Sequence, residues 1–161
     1  MKRFTVSMNS MISMVALVAI AACTEEKTTS VAAEAARAPA AALVGTWSND
    51  RGSQLVIDTV DADGHFHGAF RSGVGNVDPS AAFRVSGIAN GDVVGFSVAF
   101  GAAGSVATWS GQLTRAKDEG GAPEDRLVTT WHLARDVADA DEAAQLWAAT
   151  LTGSDVFRRA P

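Results

Sequence analysis

The sequence predicts an all-β protein, an eight-stranded antiparallel up-and-down β-barrel. Three observations predict it. Apolar and polar residues alternate over short runs, the period of a half-buried strand, and no long stretch carries a convincing helical stripe. Asp-Gly and Asn-Gly pairs, at Asp63-Gly64 and Asn90-Gly91, stand between such runs as hairpin signals. The runs number eight and are joined mostly by short connections. That suits strands paired in chain order, and not a sandwich with long crossovers. A closed barrel of eight strands has room for one small ligand.

The elements follow in order. Residues 44–48 form the first strand, and residues 53–60 alternate as the second. The polar Asp-Ala-Asp-Gly at 61–64 turns the chain into 65–72. Residues 83–88 and 93–100 flank the Asn-Gly turn at 89–92, and the glycines of 101–104 lead into 105–113. The polar stretch KDEGGAPED at 117–125 is expected to loop into 126–133. Residues 136–148 are the one plausibly helical piece, and 150–159 close the chain.

The N-terminal segment is read apart from the fold. Lys2 and Arg3 precede an apolar run from Met11 to Ala22, too short for a membrane span of ~20 residues. Residues 1–22 therefore read as a lipoprotein-type signal peptide, and Cys23, the only cysteine of 161 residues, as the lipidated first residue of the mature chain. The competing reading is ordinary secretory cleavage with an incidental cysteine. Residue 24 is a threonine and not an aspartate, which favours the outer membrane, with periplasmic or extracellular release as the alternative. Residues 23–42 are an Ala-rich tether interrupted by Pro39, and the barrel domain spans 43–161 without any cysteine left for disulfides.

Composition narrows function. The formal net charge is −5 and the folded part has no basic cluster, which argues against nucleic acid as a partner. The mature domain has no cysteine nucleophile, Gly-x-Ser-x-Gly elbow or phosphate loop, so an enzyme is the weakest reading. His65 and His67 share one strand face and are formally a pair of metal ligands. Their face lies opposite the apolar Phe66 and Phe70, so they are expected in solvent, and no metal is assigned. Trp47 with Asn49, Phe70 with Ser72, and Ser105 with Ala107 and Trp109 share inward parity. Small polar groups among aromatic rings describe a ligand pocket better than a dry core.

Five segments then resemble the avidin and streptavidin family of biotin-binding proteins in order and spacing: GTWSNDRGS at 45–53, GAFRSGVGN at 68–76, TWSGQ at 108–112, TWHL at 130–133 and GSDVF at 153–157. The resemblance implies a non-catalytic binder that holds biotin, as ligand and not cofactor, at the open end of the barrel. By position, Asn49 and Ser53 resemble the donors to the ureido oxygen, and Asp155 and Ser72 the partners of the two ureido N–H groups. The N–H of Asn76, in the Gly73–Ala81 lid with Val74 and Gly75, and the Ser105 hydroxyl resemble the carboxylate contacts. Phe100, Trp109 and Trp131 resemble the walls, with Leu133 beside them, and Trp147 the residue lent by a neighbouring subunit of a homotetramer. Members that stop at dimers tend to lack that tryptophan. His132 is expected on the barrel exterior, at a contact that acid would weaken.

The chain departs from the family pattern at four places. With no tyrosine anywhere, Phe70 stands where a hydroxyl usually reaches the ureido oxygen. Phe100 replaces a frequent tryptophan, Ala107 replaces a threonine, and Arg51 occupies a loop position that is often apolar. The competing readings are a lipocalin-like barrel for another small apolar ligand, and a lipoprotein whose loops engage a protein partner.

Overall fold

The computed structural model describes residues 41–160. The signal segment, Cys23 and all but the last residues of the tether lie outside the described residues.

Eight strands, β1 (Gly45–Asn49), β2 (Gln54–Val60), β3 (His65–Arg71), β4 (Phe83–Asn90), β5 (Val93–Ala99), β6 (Ser105–Lys117), β7 (Pro123–Arg135) and β8 (Thr150–Arg159), follow one another around a closed barrel. Every neighbouring pair is antiparallel, and β8 closes on β1 through Trp47↔Arg159, Ser48↔Arg158 and Asn49↔Phe157. The alternation in the sequence becomes inside and outside. On β3, Phe66 and Phe70 are buried while His65 and His67 are exposed; on β6, Ala107 and Trp109 are buried while Val106, Thr108 and Ser110 face out. His132 is exposed on β7, as its parity requires.

Two elements differ from the sequence expectation. The polar stretch after residue 113 is mostly strand: β6 runs to Lys117 and β7 starts at Pro123, in register Lys117↔Pro123. Polar residues fit there because they form cross-strand pairs in a two-stranded ribbon. Across the ribbon the Arg115 Nε donates to Asp125 Oδ1 and the Arg126 Nη2 to Lys117 O, both at 3.0 Å, while within β7 the Arg126 Nε donates to Glu124 Oε2. Pro123 occupies the first strand position, where a missing N–H does least harm to the ladder. The expected helix over 136–148 shrinks to one turn, α1 (Glu142–Gln145), continued by a 3-10 turn (Leu146–Ala148). Its N-cap, Asp141, makes no side-chain cap bond. A segment this short has no cooperative length to hold a helix by itself.

Because connections alternate, the barrel has two distinct ends. The β2–β3, β4–β5 and β6–β7 hairpins lie at one, and the β3–β4, β5–β6 and β7–β8 connections lie with the β1–β2 turn at the other. Leu43, Trp47, Leu55, Ile57, Phe66, Val85, Leu127 and Phe157 are all at most 1% exposed and fill the hairpin half of the interior. The Trp47 indole N–H donates to Leu43 O at 2.8 Å, and the Arg159 guanidinium lies 4.3 Å from its ring centroid.

Candidate ligand-binding site

The other half of the interior is not filled. A cavity there offers about 80 Å³ to the centres of water-sized spheres, against the roughly 10–15 Å³ that one water needs. It is built in layers across paired strands. One row runs Phe96↔Trp109↔Trp131↔Gly153, with the Phe96 ring stacked on Trp109 at 4.9 Å and 7°. Gly153 is required opposite Trp131, because a Cβ there would stand 2.4 Å from the indole. Above this row, Ala107 pairs with Leu133, and Phe100 leans on Phe70 at 6.2 Å and on Phe83 at 5.0 Å. Trp109 packs on Phe70 from the side, at 5.1 Å.

Polar groups enter this aromatic chamber with their hydrogen-bonding capacity partly spent, and the spent part determines what remains. The Asn49 carboxamide oxygen accepts N–H bonds from Arg51 (3.1 Å) and Ser53 (2.9 Å), which closes the β1–β2 turn. Its NH2 group, which can only donate, has no partner among the described residues. The Ser53 hydroxyl oxygen accepts the Gly73 N–H at 3.0 Å, which leaves its proton to donate elsewhere. One carboxylate oxygen of Asp155, Oδ2, accepts the Trp109 indole N–H at 3.2 Å; Oδ1 is committed to no partner among the described residues. The neighbouring Thr129, 2% exposed, donates its hydroxyl to Asp155 O and steadies that stretch of β8. The cavity thus presents two fixed donors and one anionic acceptor. Its polar complement is a carbonyl oxygen flanked by an N–H.

The β3–β4 connection forms the rim. The Ser72 hydroxyl donates to Val74 O at 2.6 Å, folding the start of the loop on itself. Gly73 packs against the β1–β2 turn, where a Cβ would lie 2.3 Å from Arg51 O, so only glycine allows that approach. Gly75 is there for a different reason: its φ of +86° is left-handed, with open space around it. Farther along, Asp78 accepts from the Ser80 hydroxyl and N–H, and these bonds, the hydroxyl's foremost, hold its carboxyl below the usual range.

Eleven of the residues singled out from the sequence line this one cavity: Asn49, Ser53 and Asp155 as described, Phe70, Phe100, Trp109 and Trp131 as walls, and Ser72, Val74, Ala107 and Leu133. Gly75, Asn76 and Ser105 lie outside the lining, in the rim loop and at the start of β6. Trp147 is 87% exposed on the β7–β8 connection, with its indole N–H turned to Ala144 O. Arg51 does line the cavity, although the sequence marked it only as a charged residue at an often apolar position.

The fold and site together define the class: a closed up-and-down barrel with an aromatic-lined cavity at its loop end. The avidin family model matches residues 37–160, and the chain belongs to that family. Solved structures agree. A biotin binding protein from chicken is 27% identical and superposes with a TM-score of 0.62 over 74% of this chain and 96% of its own. Xenavidin is 27% identical, with a TM-score of 0.59, over 73% and 96%. AVR2 is 28% identical, with a TM-score of 0.61, over 74% and 95%.

Proposed function

We propose that this protein binds biotin, without catalysis, in the cavity at the loop end of its barrel. The observation that carries the reading is the residual polarity of Asn49, Ser53 and Asp155. Two donors and a carboxylate oxygen, held by bonds that already exist, match a ureido group: its oxygen accepts and its N–H donates. Fixed, charge-assisted bonds of this kind strengthen one another in an apolar surround. Ser72 accepts the second ureido N–H with its hydroxyl oxygen, whose proton already goes to Val74 O. The aromatic rings of Trp109, Trp131 and Phe100 hold the bicyclic ring, and the Asn76 N–H and Ser105 hydroxyl receive the carboxylate as the rim loop folds over it.

The exposed Trp147 belongs, in this reading, to the site of a neighbouring subunit in a homotetramer, with His132 on the outer face as a contact. Export and lipidation at Cys23, with the outer membrane as destination, complete the proposal; one acyl chain anchors only marginally, so the several chains of an oligomer act together. The binding test is a calorimetric titration of the purified chain with biotin, followed in parallel by tryptophan fluorescence. Saturable binding at one biotin per chain with a change in emission is expected. No heat and no change in emission rejects the reading. Light scattering tests the assembly, where a monomer mass refutes the tetramer, and a Cys23→Ala chain that still fractionates with membranes refutes the anchor.

A further inference from the structure

We propose that Arg51 makes this site selective for ligands that carry a negative charge, by drawing them in at the rim. Arg51 is the only cation among the residues that line the cavity, and it shares that lining with a single anion, Asp155. Asp155 sits inward, bonded to Trp109, whereas Arg51 is exposed on the β1–β2 turn beside the Gly73 backbone. Its guanidinium makes no ion pair among the described residues, unlike Arg115, Arg126, Arg158 and Arg159, which all lie against carboxylates. Arg158 also neutralises Asp50, the residue next to Arg51, so the turn shows its positive charge undiminished. Arg135, opposite Ser105, is another cation near this end and is not part of the lining.

The surroundings make this charge matter. The chain carries a formal net charge of −5, and the β7–β8 connection at the same end bears Asp136, Asp139, Asp141 and Glu142. Arg71, Arg84 and Arg135 are also at this end, but among the cations only Arg51 lines the cavity, so it is the one an entering anion meets at the mouth itself. A cation at the mouth of a cleft acts on the encounter, raising the association rate in a way that salt removes. The inference rests on the biotin reading: biotin's carboxyl group is ionised at neutral pH, and its amide is neutral.

Stopped-flow association of the full chain with biotin and with biotinamide tests it. At about 0.01 M salt, where the screening length is ~30 Å, the acid should associate about 3-fold faster than the amide. At about 1 M salt the ratio should fall to about 1. Arg51→Gln should reduce the low-salt ratio to 1 or below, and Arg51→Lys should restore most of it, which a merely structural role for the residue would not do. Equal rates for acid and amide in the parent chain, or a ratio that Arg51→Gln leaves unaltered, overturns the proposal while leaving biotin binding intact. Binding of neither ligand would instead reject the biotin reading on which it rests.

Discussion

Trp47 and Trp109 are both inward-facing tryptophans of the same barrel, one in each half, and they are used differently. Trp47 gives its N–H to a backbone carbonyl, Leu43 O, and lies fully buried among Leu55, Phe66 and Phe157. Trp109 gives its N–H to a side-chain carboxylate, Asp155 Oδ2, and lies against empty space. The hairpin half spends its side chains on one another and provides stability. The loop half packs its rings around a cavity and leaves polar atoms partly unpaired, an arrangement that costs stability until a ligand completes it. A single sheet supports both because closure of the barrel and a packed half hold the other half open.

The sharpest way to break this comparison is to exchange the effects of the two halves. Trp47→Ala empties the packed half and should cost about 3–5 kcal/mol of stability, as for other large buried aromatic rings. Urea unfolding measures it, and the protein that stays folded should still bind biotin. A loss below about 1 kcal/mol would mean that the packed half does not hold the barrel.

Asp155→Ala should do the reverse. It removes an acceptor that the fold uses only for one indole N–H, and unfolding free energy should change by about 1 kcal/mol. Biotin affinity should fall by about 1.5–3 kcal/mol, roughly 10- to 150-fold, because a charge-assisted bond is lost. Calorimetry of both variants distinguishes the roles; equal affinity in the Asp155→Ala protein would remove this carboxylate from the site.

Phe70 lies on the boundary between the halves, 3% exposed and pressed on by Trp109 and Phe100. Phe70→Tyr adds the hydroxyl that the family pattern usually supplies. A further donor is worth about 0.5–1.5 kcal/mol, and ~3 when its acceptor is partly charged, so binding should tighten, mainly through slower dissociation. If biotin leaves the tyrosine variant as fast as before or faster, the pocket has closed around phenylalanine and the hydroxyl overpacks it.

The smallest effect belongs to the rim loop. The folded carboxyl of Asp78 titrates below its ordinary value of 3.8 because Ser80 bonds to its charged form. Its contribution to the loop is therefore present above that ordinary value and is lost as pH falls through the lower folded one. Ser80→Ala should return the carboxyl toward 3.8, read as a shift in the Asp78 titration by NMR. An unmoved titration would show that another group holds it.

Much of this was legible in the chain. Alternation with Asn-Gly and Asp-Gly turns specified strands, faces and order, since a strand's period and a hairpin's backbone are local properties. The resemblance placed most of the lining, because its motifs sit at strand ends that barrel closure brings together. Local composition misled at Glu124 and Asp125, where polarity suggested a loop and the ladder with β6 made strand; Ala116 opposite Glu124 and Arg115 bonded to Asp125 lie across the ribbon, beyond any local pattern. The same holds for the site. That Asn49 retains only its donors, that Ser53 keeps its proton, and that Asp155 has one oxygen to offer depend on which bonds Arg51, Gly73 and Trp109 have already formed. That Arg51 reaches the cavity at all depends on Gly73 holding the turn against the rim. The sequence by itself determined the strands and the chemical types facing inward. Only the tertiary structure decided which polar atoms stay uncommitted, because a hydrogen bond spends a group's capacity according to what stands within about 3 Å of it in space, not along the chain.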